Sequence, residues 1–237
     1  MKPTITLFLL CASFMLQGQS TCITYSHKQG GEQYVNMVLF INDSSSFWNA
    51  EIDTADVWGD NSFFIKDYNT NQLYYNRGLF NKNVFITDSL YPMQWELASD
   101  TAIILNETCY SAKAHFRGRD YTAFYAPGLS GTDGPWKFGG LPGLILQLKA
   151  SDGGINYTAV KLIRNCSNTL PPVNIKKHDF LSWDEFTTKF ITIITNAVKT
   201  VNATETDVED LRTTIKVSGE TEIFYPDAQD EDGITFY

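Results

Sequence analysis

The chain has 237 residues, with 18 Lys and Arg against 27 Asp and Glu and a net charge of −9 at neutral pH. A chain this acidic lacks the basic face that phosphate contact calls for, which disfavours nucleic acid and anionic membrane surfaces as partners. Its 43% hydrophobic content can fill one substantial core, and four cysteines are too few for a disulfide framework.

Residues 1–20 open with a single cation, Lys2, continue through an apolar core from Ile5 to Leu16, and end in Gly18, Gln19 and Ser20. This is the pattern of a secretory signal peptide, and its apolar stretch is too short to span a bilayer. Cleavage near Gly18 to Ser20 would leave 17 basic against 27 acidic residues, a net of −10, on an exported, soluble protein with no transmembrane segment. Three cysteines remain after it, Cys22, Cys109 and Cys166. One bridge is expected in an oxidising compartment, Cys109 with Cys166, because both flank the Gly-rich region; otherwise each is a small buried hydrophobe.

From Ile23 to Leu105, short apolar and aromatic runs alternate with Asn, Asp, Gly and Ser. Strands are predicted at Tyr34–Ile41, Phe63–Lys66, Leu73–Tyr75, Val84–Thr87, Met93–Leu97 and Ala102–Leu105, with turns at Asp67–Asn71 and Asn76–Gly78. Further strands fit Ala112–Phe116, Tyr121–Tyr125, Leu144–Lys149 and Tyr157–Ile163, a spacing that describes an antiparallel meander.

The segment Gly134–Leu148, GPWKFGGLPGLILQL, is the most informative. Six of the 16 glycines, Gly128, Gly131, Gly134, Gly139, Gly140 and Gly143, crowd around Pro127, Pro135 and Pro142. Leu141-Pro142-Gly143-Leu144 reads as a type II turn, with Pro142 fixing φ and Gly143 accepting a positive one. GxxxxGK[ST] is absent and the glycines precede a strand, so a phosphate cradle is disfavoured. These glycines are expected to let one backbone approach another.

After Pro171-Pro172, which marks a linker, Ser182-Trp183-Asp184-Glu185 forms a capping box. Phe186, Phe190, Ile193, Ile194, Ala197 and Val201 follow at helical spacing and make one apolar stripe, as in a helix lying on a sheet. Thr213–Val217 and Glu222–Tyr225 are candidate edge strands. Residues 219–237 form an acidic tail.

The stretch from Trp95 to Leu148 resembles the GLPGLI, or Porph_ging, family of exported Bacteroidetes proteins, named for residues standing here as Gly140, Leu141, Pro142, Gly143, Leu144 and Ile145. Asp88 and Trp95, Cys109, Ala112, Phe116, Gly118-Arg119, Tyr121, Ala123, Gly134-Pro135 and Lys137-Phe138 fall in the family's order and spacing. Departures occur at Ala123-Phe124-Tyr125, where Ala-Trp-Tyr is usual, and at Gly128-Leu129, where Ile-Pro is usual. The resemblance implies export in a Gram-negative cell and a β-rich fold similar to the bowl-like N-terminal module of a bacterial glycan-releasing amidase. It carries no established catalytic residues. The expected architecture is α+β and mostly antiparallel β: a curved, bowl-like or half-barrel sheet with one C-terminal amphipathic helix, in a single domain over 21–218.

No catalytic constellation stands out. His27, His115 and His178 have no partner at metal-ligand spacing, Gly128-Leu129-Ser130-Gly131 is not a nucleophile elbow, and no cofactor is expected. The candidate ligand-binding residues are Arg117 and Arg119, taken to alternate on one strand face, with Lys137, Tyr125 and Trp136 beside them. The cations suit a carboxylate or phosphate, the rings a glycan or peptide; the competing reading pairs the cations with acids such as Asp120 or Asp133. The first expectation is a non-catalytic binding or accessory module, periplasmic, outer-membrane associated or secreted, serving an outer-membrane transport or envelope protein. The alternatives are a hydrolase whose acidic residues meet in the fold and a carrier that shields a lipid inside the sheet.

Overall fold

The computed structural model describes residues 20–29, 32–50, 64–79, 82–166, 174–204, 216–217 and 235–236. Residues 1–19, Pro171-Pro172, Glu222–Tyr225 and most of the acidic tail lie outside them. Eleven antiparallel-paired strands run in chain order: β1 (Thr21–Gln29), β2 (Glu32–Ile41), β3 (Ser45–Ala50), β4 (Phe64–Asp67), β5 (Gln72–Leu79), β6 (Lys82–Ser89), β7 (Glu96–Ile104), β8 (Glu107–Phe116), β9 (Arg119–Ala126), β10 (Leu144–Ala150) and β11 (Asn156–Arg164). A short β12 (Phe180–Ser182) pairs in parallel with β6 and leads into α1 (Trp183–Thr204). The twelve strands form one sheet, ordered β12-β6-β5-β4-β3-β2-β1-β11-β10-β9-β8-β7, and it is open and curved. β13 (Lys216–Val217) and β14 (Thr235–Phe236) make a separate parallel pair. Among the described residues no helix is long and apolar enough to cross a membrane.

The two halves of the sheet are joined by antiparallel pairing of β1 with β11, which places Cys22 opposite Ile163. The same junction carries the disulfide, Cys22–Cys166, across 144 residues of sequence. Cys109 is a free, buried thiol, so the expected Cys109–Cys166 bridge is replaced: pairing of β1 and β11 brings Cys22 to Cys166 and leaves Cys109 inside the core. Ser20 reinforces the junction, with its carbonyl accepting from the Asn165 amide at 2.7 Å and its hydroxyl donating to the Cys166 carbonyl at 2.6 Å.

Three differences in the elements have physical causes. β1 has both faces covered, Ile23 and Tyr25 on one and Cys22 and Thr24 on the other, so it lacks the one-sided alternation that marks a half-exposed strand. Asn76–Gly78 is strand rather than turn; the Arg77 guanidinium lies 5.7 Å from the rings of both Phe186 and Phe190, which holds this segment against the helix. The runs predicted at Met93–Leu97 and Ala102–Leu105 become one strand from Glu96 to Ile104, with a shift of register against β8 between Leu97 and Thr101.

The capping box forms as its residues predict. The Glu185 amide donates to Ser182 Oγ at 3.2 Å, and Glu185 Oε2 accepts from the Ser182 amide at 2.8 Å. Phe186, Phe190 and Ile194 bury the helix stripe against Leu73, Tyr75, Leu79 and Ile86 of β5 and β6. Each such side chain contributes about 1.5–3 kcal/mol on leaving water.

The main core joins side chains of β1–β3 (Ile23, Tyr25, Leu39, Trp48) with those of β8–β11 (Ala112, Tyr121, Leu148, Tyr157), and it also contains Phe138 and Leu141. The Gly-rich segment between β9 and β10 therefore fills the inside of the curve. Its glycines admit neighbouring groups: a Cβ at Gly139 would sit 2.2 Å from the Tyr91 ring, and one at Gly143 would sit 2.3 Å from the Ala126 carbonyl oxygen. The turn itself is tighter than type II. The Gly143 amide donates to the Leu141 carbonyl at 2.8 Å, spanning three residues around Pro142, with φ +146° at Gly143.

Gly143→Ala combines a forbidden φ with a backbone clash, so it should cost about 2–4 kcal/mol. Gly153→Ala, at φ +72° with nothing within 4 Å of the new Cβ, should cost only about 1–2 kcal/mol. Urea unfolding midpoints measure both; equal losses would show that the close approach at Gly143 contributes nothing.

Candidate functional site

Two charged clusters hold the Gly-rich segment to the opposite half of the sheet. In the first, Lys66 of β4 is buried with its ammonium on Asp133 Oδ1, and the same nitrogen donates to the carbonyls of Gly134 at 2.8 Å and Phe138 at 3.0 Å. All three donor hydrogens of the lysine are thereby used. Tyr68, in the turn after β4, donates its phenol to Asp133 Oδ2 at 2.5 Å, and the Tyr91 ring faces the Lys66 ammonium at 5.4 Å. Tyr25 of β1 donates to the Ile145 carbonyl at 2.6 Å.

Burial pushes the Tyr68 and Tyr91 phenols up, and the Asp133 charge pushes them further; Tyr25 is raised by the same causes in the same order. The three phenols stay protonated and serve as neutral donors or ring walls. Burial lowers the Lys66 ammonium from its ordinary value, while the Asp133 charge and hydrogen bond oppose that shift. Lys66 and Asp133 are both buried and bonded to protein groups from opposite halves of the sheet, a geometry that fits a structural clamp.

The second cluster reaches a cavity. Arg117, at φ +46° in the two-residue turn between β8 and β9, donates through one nitrogen to both oxygens of Asp88, at 2.9 and 2.7 Å. Lys137 donates to Asp88 Oδ2 at 3.3 Å and to the Tyr75 hydroxyl at 2.8 Å. Trp183, the first residue of α1, covers both cations, its ring centre 3.6 Å from the Arg117 guanidinium and 4.3 Å from the Lys137 ammonium. Beside this stack lies a cavity of about 380 Å³ lined by Gln72, Thr87, Asp88, Ser89, Arg117 and Trp183, among others. Its walls offer hydroxyl, amide, carboxylate and guanidinium groups together with an indole, a mixture suited to binding a hydroxyl- or amide-rich ligand.

The sequence-derived candidates divide. Arg117 and Lys137 meet on Asp88; Arg119 does not join them. Arg117 stands in the turn while Arg119 begins β9, so the two do not share a strand face, and Arg119 pairs with Asp152 at 2.8 Å. Their partners are Asp88 and Asp152 in place of the expected Asp120 and Asp133, which pair with His115 and Lys66. Tyr125 is buried on the inner face, its ring 6.4 Å from Tyr110. Trp136 is half-buried, with its ring 5.9 Å from Phe138 and 5.3 Å from the Lys137 ammonium. Of the motif residues, Gly134, Pro135, Phe138, Leu141, Leu144 and Ile145 are core. Trp183, Gln72 and Lys66 had no sequence signal beyond residue type. Among the described residues no group of three or more His, Cys, Asp or Glu could hold a metal ion.

Because Lys66 and Asp133 are buried together, removing one leaves the other uncompensated. Lys66→Met and Asp133→Asn should each cost about 3–5 kcal/mol, and the double variant Lys66→Met/Asp133→Asn far less than their sum. Chemical denaturation of the four proteins measures the coupling, and additive losses would refute the clamp.

The fold is similar to that of PNGF-II in two crystal forms. In the C2 form the TM-score is 0.55 at 18% identity, covering 72% of this chain and 32% of that one; in the P21 form it is 0.54 at 16%, covering 69% and 31%. This chain thus spans about a third of the length of the structures it matches. No family model matches the chain, and no curated protein matches it.

Proposed function

We propose that the protein is an exported member of the GLPGLI family, periplasmic or outer-membrane associated, that acts as a non-catalytic binding module, with the cavity beneath Trp183 as its ligand site and a glycan or peptide as its ligand class. The arrangement of Arg117, Asp88, Lys137 and Trp183 around that cavity is the observation that carries this reading. Asp88 and Asp133, the two buried aspartates among the described residues, are each held by cations. A pair of carboxylates converging on a substrate, as acid–base hydrolysis requires, would be organised differently. The inside of the curve is filled by Phe138, Leu141 and their neighbours, which speaks against a lipid carried within the sheet. The Cys22–Cys166 bridge suits an oxidising compartment and therefore supports export.

Peptide mapping of the protein from its own envelope should find a chain beginning near residues 18–21, a linked Cys22–Cys166 peptide and an alkylatable Cys109 only after unfolding. A chain retaining Met1 with free Cys22 would overturn the export reading. For the cavity, a panel of defined oligosaccharides and short peptides is titrated against intrinsic tryptophan fluorescence. At least one class should bind, and Ser89→Trp, which fills the cavity from an exposed position, should weaken it at least tenfold without lowering the melting temperature. No response to any member, or equal binding by the variant, would contradict the site.

A further inference from the structure

A second pocket lies at the other end of β6. About 570 Å³ in volume and open to solvent on one side, it is bordered by the end of β5, the start of β6, β12 with Asp179 just before it, and one face of α1. Its walls are apolar, from Leu79, Val84, Phe85, Leu181 and Ile193, and its rim carries Lys82, Lys189, Asn83 and Asp179. The volume falls within the range of about 300–1,000 Å³ usual for small-ligand pockets, and the pattern of apolar walls with a few polar groups at the mouth is the usual one.

The rim charges decide the ligand's polarity. Lys82 and Lys189 are exposed and engage in no ion pair among the described residues, in contrast to Arg117, Arg119, Lys137 and Lys66, each of which holds an aspartate. Counted together, Lys82, Lys189 and Asp179 leave the lining with one net positive charge, on a chain whose net charge is −9. Lys189 precedes Ile193 by one helical turn, so its ammonium stands above an apolar floor on the same face of α1.

We infer that this pocket binds a free long-chain carboxylate, its acyl chain lying against Val84, Phe85, Leu181 and Ile193 and its head held by Lys82 and Lys189. An apolar body needs these walls, and an anionic head needs the two cations; a neutral or cationic head would lose the second contribution. The site is separate from the cavity under Trp183, and neither reading depends on the other.

The test is fluorescence enhancement of cis-parinarate on the full chain, with displacement by myristate, methyl myristate and tetradecyltrimethylammonium. The wild-type protein should bind cis-parinarate, and myristate should displace it at least fivefold more effectively than the ester or the cation does. Ile193→Trp, which occupies the floor, should weaken binding at least tenfold. Lys189→Glu, on an exposed residue that packing does not need, should weaken myristate at least fivefold and leave the ester unchanged, while Ser89→Trp should bind cis-parinarate as the wild type does. Absence of binding by the wild type, equal displacement by acid and ester, or wild-type affinity in both Ile193→Trp and Lys189→Glu would overturn the assignment.

Discussion

The buried contact between Lys66 and Asp133 is the constraint on which the rest of the molecule depends. A curved sheet with an open inside must fill that space, and here the filling is a segment of its own chain rich in Gly and Pro, which has many backbone groups and few large side chains. Backbone polar groups taken out of water need partners. Lys66 supplies them for two carbonyls while it neutralises the one carboxylate that enters the core with the segment. Desolvating both charges costs several kcal/mol each before their attraction offsets it, so the pair does more to select one arrangement than to add stability. Tyr68 then takes the remaining Asp133 oxygen, and the Gly134 amide binds the first at 2.6 Å.

With the segment fixed, the second cluster follows from it. Lys137 stands between the Gly134 and Phe138 carbonyls bound by Lys66, and it points to β5 and β6, where Tyr75 and Asp88 receive it. Arg117 reaches the same Asp88 from the β8–β9 turn, and the capping box fixes the start of α1 so that Trp183 closes over both cations. One carboxylate thus couples the sheet, the loop and the helix. The cavity beside it inherits its shape from all three, and this makes a site of fixed geometry from elements far apart in sequence.

How much of this was legible in the sequence depends on whether the signal was local. The capping box at Ser182 and Glu185 and the stripe at Phe186, Phe190 and Ile194 are patterns of three and four residues, and they appear as read. The glycines needed for close approach were identifiable as such, although the turn at Pro142 proved tighter than its residues suggested. The cysteine pairing was not, because Cys22 meets Cys166 only through pairing of the first and eleventh strands. Arg117 and Lys137 could be nominated as cations. Their meeting on Asp88, and that of Lys66 with Asp133, spans tens of residues and is set by strand order, which no local pattern encodes. The bulged and exposed β7 was legible only as two separate runs, because its middle has no apolar pattern, and the doubly covered β1 escaped because both its faces are buried.

Native-state hydrogen exchange is the most direct test of the claim that the Gly-rich segment is core and not surface loop. The Gly140 amide bonds to the Thr132 carbonyl at 2.6 Å and the Ile145 amide to the Asp133 carbonyl at 2.9 Å. Both should exchange as slowly as the amides of Ile23 and Thr24 in β1, through global unfolding alone. Rapid exchange of Gly140 and Ile145 while β1 stays protected would show that the segment opens independently of the sheet, and the account would fail.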